Sequence, residues 1–146
     1  MAGASFEMDL SGLDMALKGA LRKIQETQDV MEQAGEILVN STKLRFKDQA
    51  DPEGKAWDSS QRAEAVGGQT MVESGQLRSS IVAQVSSKTL LVGTNKEYGA
   101  IHQFGGEAGR GKKVKIPARP YLGFTEEDRQ EIQDALADFM RSSMGV

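Results

Sequence analysis

The sequence contains no cysteine and only one histidine, His102. The absence of cysteine excludes disulfide bonds, thiol catalysis and every zinc site that needs a thiolate ligand. A single imidazole likewise excludes a site built from two or three histidines.

Long hydrophobic runs are also missing. No apolar stretch approaches the roughly 18 residues needed to span a bilayer. The opening MAGASFEMDL lacks the basic start and the apolar run of a secretory signal. We therefore expect a protein made in the cytoplasm of its host cell, with no membrane partner.

Basic residues are outnumbered by acidic ones, and aromatic side chains are scarce. The formal net charge is −3, and aromatic residues make up 5% of the chain. Nucleic-acid-binding domains are usually strongly basic, and single-strand binders stack bases on aromatic side chains. This composition argues against a general nucleic-acid binder.

The remaining composition is that of one ordinary domain. The chain has 146 residues, of which 38% are apolar and 27% are charged. A globular chain of this length buries roughly 68–70% of the surface that its unfolded form exposes, which is enough for one core. We expect a single domain spanning residues 1–146.

The first third of the chain has the pattern of a strand followed by two helices. Alternating apolar and polar residues predict a strand over 5–10. Ser11, three residues before Asp14, is typical of a helix N-cap and predicts a helix ending near residue 24. Helical spacing predicts a second helix over about 28–47, with one continuous bent helix as the alternative. Its apolar stripe comprises Val30, Ala34, Ile37, Ser41 and Leu44, flanked by Met31, Leu38 and Phe46.

Strand patterns return in the second half of the chain. Alternation over 80–85 and 89–94, across a short turn, predicts a β-hairpin. Two prolines favour extended backbone after residue 116, so we expect a last edge strand over 121–124. Thr125, three residues before Asp128, predicts the start of a closing helix. Its apolar stripe comprises Ile132, Leu136 and Phe139.

A short helix is expected between the hairpin and the last strand. Asn95 would cap it. Tyr98, Ile101 and Phe104 would share one face, because they follow each other at a spacing of three. Gly105 would end the helix, since glycine adopts left-handed backbone at little cost.

Two stretches lack periodicity, about 48–76 and 105–116. Loops of this length in a small domain are usually functional or disordered. Trp57 lies in the first loop and either packs back as its anchor or serves a partner surface, where tryptophan is enriched. The predicted fold is α+β, with a small antiparallel sheet of about four strands packed by three amphipathic helices and two long loops.

His102 lacks the neighbours of a catalytic histidine. A general base needs an orienting group and a nucleophile or metal within reach. Glu97 and Glu107 are each five residues away, and no Ser-His-Asp pattern is nearby. We interpret His102 as structural, with its ring hydrogen-bonded to backbone near the turn. The glycine-rich run 105–113 does not match a P-loop, because Lys113 stands where a hydroxyl is required. We expect no cofactor, metal or small-molecule substrate.

The second loop and the closing helix carry opposite charges. The basic residues of the loop and of the segment after it are Arg110, Lys112, Lys113, Lys115 and Arg119. Such a run is either a solvated loop or an arm that docks on an acidic partner or near DNA phosphates. The closing helix is rich in Asp and Glu, so the two regions could complement each other between copies. Heterologous contacts of this kind close into rings when the rotation permits, although charge alone leaves two unrelated solvated surfaces equally possible.

Four short motifs carry a family resemblance. The segments 97–106 (EYGAIHQFGG) and 116–123 (IPARPYLG) resemble the virion-morphogenesis, or tail-completion, family of Mu-like phages and prophages. Upstream, 51–57 (DPEGKAW) is similar to the family's turn, and 74–81 (SGQLRSSI) to its entry into the hairpin. The resemblance runs from about residue 6 to the end, with the motifs in the expected order.

The chain departs from the family pattern at two places. Gly99 stands where the family more often has alanine. Ser59, Ser60 and Gln61 follow Trp57 where the family tends to have leucine and a threonine-lysine segment.

The resemblance implies a non-enzymatic structural protein of a contractile-tailed phage or prophage, which completes the tail or joins it to the head. Related tail-completion and tail-terminator proteins have α+β folds and often form rings, commonly hexameric. The resemblance implies partners among tail and connector proteins, synthesis in the host bacterial cytoplasm and a final place in the virion.

By the same resemblance, eight residues form the structural motif and none is catalytic. The motif residues are Tyr98, His102, Phe104, Gly105, Pro117, Arg119, Pro120 and Leu122. The loop between the two halves of the motif would be the assembly arm. Alternatives from the residues themselves are a DNA-binding or interaction module that uses the basic segment 110–119 and, third, a small hydrolase that uses His102 with a carboxylate.

Overall fold

Five strands form two separate antiparallel sheets in the computed structural model, which describes residues 3–9, 27–86 and 89–143. The larger sheet has the order β1-β3-β2. The smaller sheet is a two-stranded hairpin, β4-β5. The strands are β1 (Ser5–Asp9), β2 (Val82–Val85), β3 (Thr89–Gly93), β4 (Gly106–Ala108) and β5 (Val114–Ile116).

Five α-helices within the described residues accompany the sheets, which confirms the predicted α+β class. They are α1 (Thr27–Asp48), α2 (Gln61–Val66), α3 (Gln76–Ser79), α4 (Gly99–Phe104) and α5 (Glu126–Ser143). The first strand, the long second helix, the β2-β3 hairpin and the closing helix are confirmed. The helix predicted to end near residue 24 lies outside the described residues.

The long helix α1 packs directly on strands β2 and β3. Close approach is possible because Gly35 has no side chain: a Cβ there would lie 2.9 Å from the Ala83 Cβ. Leu44, predicted on the core stripe, is instead 54% exposed. A spacing of seven drifts around a straight helix by about 20° per repeat, so the third member of such a series leaves the buried face. The buried face comprises Val30, Met31, Ala34, Leu38, Thr42 and Phe46.

Helix α5 packs on α1 through its predicted apolar stripe. Ile132 and Leu136 are buried, and Phe139 packs partly buried against them. The predicted capping box is present, since the Thr125 N–H donates to Asp128 Oδ2 (3.1 Å) and the Asp128 N–H donates to Thr125 Oγ1 (3.0 Å).

A buried ion pair joins these two helices. Arg45 Nη2 lies 3.0 Å from Asp128 Oδ2, and the two side chains are 9% and 4% exposed. Arg45 also donates to Ser41 Oγ (3.1 Å) and to the Tyr121 carbonyl oxygen (2.8 Å). Burial lowers the pKa of Arg45, an effect that the charge of Asp128 opposes. One guanidinium thus connects α1, α5 and the segment between β5 and α5.

That segment, residues 117–125, is not the predicted edge strand. It forms no ladder with another strand among the described residues. The side chain of Gln103 in α4 replaces the missing partner: its Oε1 accepts the Tyr121 N–H (3.1 Å) and the Leu122 N–H (3.0 Å), and its Nε2 donates to the Leu122 carbonyl oxygen (3.1 Å). Because side chains satisfy this backbone, no strand pairing is required. We call residues 117–125 the strap.

Three aromatic rings hold the strap against α1. Phe46 lies 5.4 Å from both Trp57 and Tyr121, measured between ring centroids. The Trp57 Nε1–H donates to the Pro120 carbonyl oxygen (2.8 Å), and the Tyr121 hydroxyl donates to the Gly99 carbonyl oxygen (2.7 Å). Trp57 is 8% exposed, so the structure supports its role as a loop anchor rather than a partner contact.

The departure at Gly99 is larger than the sequence indicates. A Cβ on Gly99 would lie 2.5 Å from the buried Thr94 Cγ2 and 2.9 Å from the Tyr121 hydroxyl. Alanine, which the family more often has here, would therefore displace Thr94 or break the hydrogen bond of Tyr121.

The first predicted loop, 48–76, contains regular structure. Ser60 Oγ accepts the Ala63 N–H (3.1 Å) and so caps α2, which ends at Gly67 with φ of 66°. The Gln49 side chain accepts the Thr70 N–H (2.8 Å) and donates to the Thr70 carbonyl oxygen (3.0 Å). Neither the helix cap nor the pair of hydrogen bonds between Gln49 and Thr70 could be predicted from periodicity, because each depends on a single polar side chain.

The second predicted loop, 105–116, is the β4-β5 hairpin. Gly106 is opposite Ile116, and Ala108 is opposite Val114. Gly109 and Gly111 adopt positive φ in the turn, which glycine tolerates and which interrupts the alternation that marks strands.

We expect loss of the buried ion pair to destabilise the protein strongly. In Asp128→Asn, Arg45 remains buried without its counter-ion, which costs about 3–5 kcal/mol of unfolding free energy. Urea denaturation followed by Trp57 fluorescence measures this change. Asp138→Asn is the matched control: its pair with Arg141 is 3.1 Å long, but the two side chains are 74% and 62% exposed. The control should cost less than about 1 kcal/mol, and an equal loss in both variants would contradict the expectation.

Candidate functional site

The short helix α4 presents aromatic residues to solvent. Tyr98 is 42% exposed and Phe104 is 72% exposed, while Val114 of β5 is 56% exposed. The opposite side of α4 is attached to the strap through Gln103 and the Gly99 carbonyl group. Of the three residues predicted to share one face, Tyr98 and Phe104 are thus exposed, while Ile101 is half-buried.

The C-terminal end of α4 is as predicted from the sequence, but its N-terminal end is not. Gly105 ends the helix as predicted, with φ of 75° and its N–H bonded to the Ile101 carbonyl oxygen. Asn95 does not cap it: the cap position is Tyr98, which makes no side-chain cap hydrogen bond. Thr94 Oγ1 instead accepts the Lys96 N–H (3.0 Å), so the turn before the helix uses a different side chain.

The hairpin β4-β5 carries an exposed cluster of cations. Arg110, Lys112, Lys113 and Lys115 are all exposed. Lys115 is the register partner of Glu107, the one acidic residue in the hairpin. Within the described residues, none of the four cations forms an ion pair.

Arg119 differs from these cations because it is buried. It is 6% exposed, and its Nε–H donates to the Asp58 carbonyl oxygen (2.6 Å). Its backbone N–H donates to the His102 carbonyl oxygen (2.7 Å), which ties the start of the strap to α4. The sequence grouped Arg119 with the exposed basic run. Its place between Ala118 and Pro120 in the quoted motif was the available signal that it has a separate role.

His102 is close to Arg119 and is only partly satisfied. Its ring packs edge-on against Tyr98, with centroids 6.2 Å apart. Its Nδ1 is buried and has no hydrogen-bond partner among the described residues, so the expected backbone bond of the ring is wrong. Burial lowers the pKa of His102, and the charge of Arg119 lowers it further. The imidazole is therefore neutral at pH 7.

A cavity of about 280 Å³ lies beside these two residues. Tyr98, His102 and Arg119 form one wall. The other walls come from the start of α2 at 60–62 and from the segment 70–77. The combination of a buried guanidinium with a neutral imidazole suits recognition of an anion. In the part of the chain that the structure describes, no carboxylate is hydrogen-bonded to Nδ1 of the imidazole.

The structural motif residues thus divide into two groups. The strap residues Pro120 and Leu122 and the helix end at Gly105 hold backbone in place. Tyr98, His102 and Arg119 meet at the cavity, and Phe104 lies exposed between the cavity and the hairpin along the chain. Pro117 is exposed at the start of the strap. Gln103, Asp58 and Arg62 also shape this region, and sequence patterns assigned them no role.

Within the described residues, no cluster of three or more His, Asp or Glu side chains could hold a metal ion. None of the described helices is long and apolar enough to cross a bilayer.

Comparison with known proteins assigns the chain to a family. The model of the phage virion morphogenesis family matches residues 8–141. The chain therefore belongs to the phage virion morphogenesis family, as its motifs indicated. No solved structure matches the chain.

Three relatives illustrate the range of the family. FluMu G protein 2, a Mu-like prophage protein of Haemophilus influenzae, is 45% identical over 74 residues, which are 51% of this chain and 54% of that protein. The putative capsid assembly protein G of Escherichia phage Mu is 36% identical over 109 residues, which are 68% and 70% of the two chains. Tail completion protein S of Escherichia phage P2 is 47% identical over 47 residues, 30% and 31% of the two chains. The match thus spans about half of the Haemophilus protein.

We expect His102 to make stability depend on pH. Because its folded-state pKa is lowered, the unfolded chain takes up a proton below about pH 6.5 that the folded chain does not. Relative to His102→Gln, the wild type should lose at most about 1.4 kcal/mol of unfolding free energy per pH unit on going from pH 6.5 to 5. Urea titrations of both proteins at several pH values give the two free energies of unfolding. The contribution of the carboxylates cancels when one is subtracted from the other, because both proteins contain the same carboxylates. A wild-type free energy of unfolding that stays constant or rises, relative to that of His102→Gln, as the pH falls would contradict the lowered pKa.

Proposed function

We propose that this chain is a non-enzymatic structural subunit that completes the phage tail, or joins it to the head, through ring-type contacts between copies. The observation that carries the proposal is the family match over residues 8–141. Two relatives support it by name, one a putative capsid assembly protein and the other a tail completion protein. The chain would be made in the host cytoplasm and incorporated in the virion.

The surface of the protein favours assembly over catalysis. Exposed aromatic residues on α4 stand beside the exposed cations of the hairpin. Aromatic side chains and arginine are enriched in protein interfaces. Helix α5 presents the complementary charge, because Glu126, Glu127 and Glu131 are exposed. A basic surface and an acidic one on the same chain support head-to-tail contacts, which close into a ring if the rotation permits.

The function is tested by removing the protein from the phage or prophage that encodes it. We expect lysates of a nonsense mutant to contain filled heads and separate or incomplete tails in electron micrographs. Supplying the wild-type chain should restore joined particles, and Lys112→Gln/Lys113→Gln should restore fewer. The matched control is Lys47→Gln/Lys55→Gln, which removes two exposed charges elsewhere. Normal joined particles in the nonsense mutant would refute the proposal.

A second candidate function follows from the hairpin alone. Its four exposed cations have no ion-pair partner in the described residues and could lie against DNA phosphates. If so, the protein should bind duplex DNA at low salt. Lys112→Gln/Lys113→Gln should then reduce the slope of log affinity against log salt by about 2, since each neutralised phosphate contributes about 0.9. Fluorescence anisotropy with a labelled duplex measures both, and absence of binding at low salt would exclude this function.

A further inference from the structure

The buried cation Arg119 has no counter-ion in the described part of the chain. Its only side-chain hydrogen bond there is the one from Nε to the Asp58 carbonyl oxygen. None of the ion pairs among the described residues includes Arg119. In the described residues, the buried side-chain atoms without a hydrogen bond do not include the Nη atoms of Arg119, so these two atoms reach solvent and are open to an incoming anion. By contrast, Arg45, which is buried to the same degree, has Asp128 beside it.

The cavity next to Arg119 could accept that missing partner. It has a volume of about 280 Å³ and opens to solvent, so a carboxylate side chain from outside can enter it. Arg62 lies on its wall with a side chain that is 33% exposed, and its distance to the exposed Glu73 is 3.8 Å. This loose surface pair leaves the cavity positive overall. His102 adds a neutral ring whose Nδ1 is buried and unbonded.

We propose that this cavity receives a carboxylate side chain from a second copy of the chain, with Arg119 as the central cation of the contact. The proposal deepens the ring-type function proposed above and rests on it. Planar guanidinium groups bind carboxylates through paired hydrogen bonds, which would use the N–H groups of Arg119 that have no acceptor.

Helix α5 is the segment that offers the carboxylate. Glu127 and Glu131 lie one helical turn apart and are both exposed. Like charges at this spacing repel each other, so a cation from a neighbour would relieve them. Neither has an ion-pair partner in the described residues, whereas Glu126 pairs with Arg129 and Asp138 pairs with Arg141.

The two surfaces are separate on one molecule. The cavity is lined by residues from 60–77, 98–102 and 119, and none of them belongs to α5. A contact between the cavity of one copy and α5 of the next is therefore heterologous and repeats around a ring. The hairpin starts directly after α4, so its exposed cations would lie at the edge of the contact. Solvated charges at such an edge mainly increase the rate of association. The buried Arg119 would determine the affinity.

Mixing two complementary variants tests this arrangement in solution. Arg119→Gln loses the cation but keeps α5, and Glu127→Gln/Glu131→Gln loses the carboxylates but keeps the cavity. We expect each variant alone to associate about 30-fold more weakly than the wild type in analytical ultracentrifugation, as expected for truncation of one partner of a buried charge pair. An equimolar mixture should form heterodimers and no larger species, because only one intact contact can form between the two variants.

Control variants separate this contact from general effects of charge and folding. Ser74→Glu places a carboxylate at the mouth of the cavity without changing Arg119, and should weaken association to a similar extent even if Arg119→Gln fails to fold. Its matched control, Gln84→Glu, adds the same charge to exposed strand β2 and should associate as the wild type does. The control for the acidic variant is Glu36→Gln/Glu53→Gln, at two other exposed sites.

The outcomes distinguish this inference from the proposed function. Heterodimers in the mixture, together with weak association of each variant alone, would support the contact. A folded Arg119→Gln or Ser74→Glu chain that associates like the wild type would overturn it, and so would a wild type that stays monomeric at the highest concentration reached. Neither result would affect the proposed role in completing the tail or joining it to the head, which is judged by the particles in the nonsense-mutant lysate. A monomeric wild type would count against the ring-type contacts as well.

Discussion

One buried charge, the carboxylate of Asp128, fixes the positions of α1, α5 and the strap relative to one another. It pairs with Arg45 of α1 and accepts the backbone N–H of Thr125 at the start of α5. Arg45 in turn donates to the strap at Tyr121. Because an unpaired charge in this interior would be costly, neither helix can shift along the other without breaking the pair. The position of the strap depends on that relation.

The candidate site depends on the strap. Arg119 lies at its start and is fixed by backbone and side-chain bonds to His102 and Asp58. Pro120 and Tyr121 follow and are fixed by Trp57 and by the rings around Phe46. A guanidinium that its neighbours already hold in place would lose little conformational entropy on binding an anion, which is the physical advantage of this position for the contact proposed above.

Much of the fold was predictable because it rests on periodicity. The alternation in β1 and β2-β3, the spacing in α1 and the capping box of α5 are local patterns, and the structure confirms them. The last strand was predicted wrongly because prolines indicate extended backbone but do not say what pairs with it. Gln103 supplies the hydrogen bonds, and a single amide 18 residues upstream of Tyr121 leaves no pattern in the sequence.

The sequence by itself determined the fold class, the family and the charge of each surface, because these follow from residue types and their local order. Only the tertiary structure decided which cations are solvated and which one is buried. Arg119 and Lys115 are four residues apart and look alike in the sequence. Arg119 is buried at the start of the strap and bonded to the Asp58 carbonyl oxygen, whereas Lys115 is exposed on the hairpin. Burial depends on contacts between distant segments, and these contacts determine how strongly a charge needs a partner.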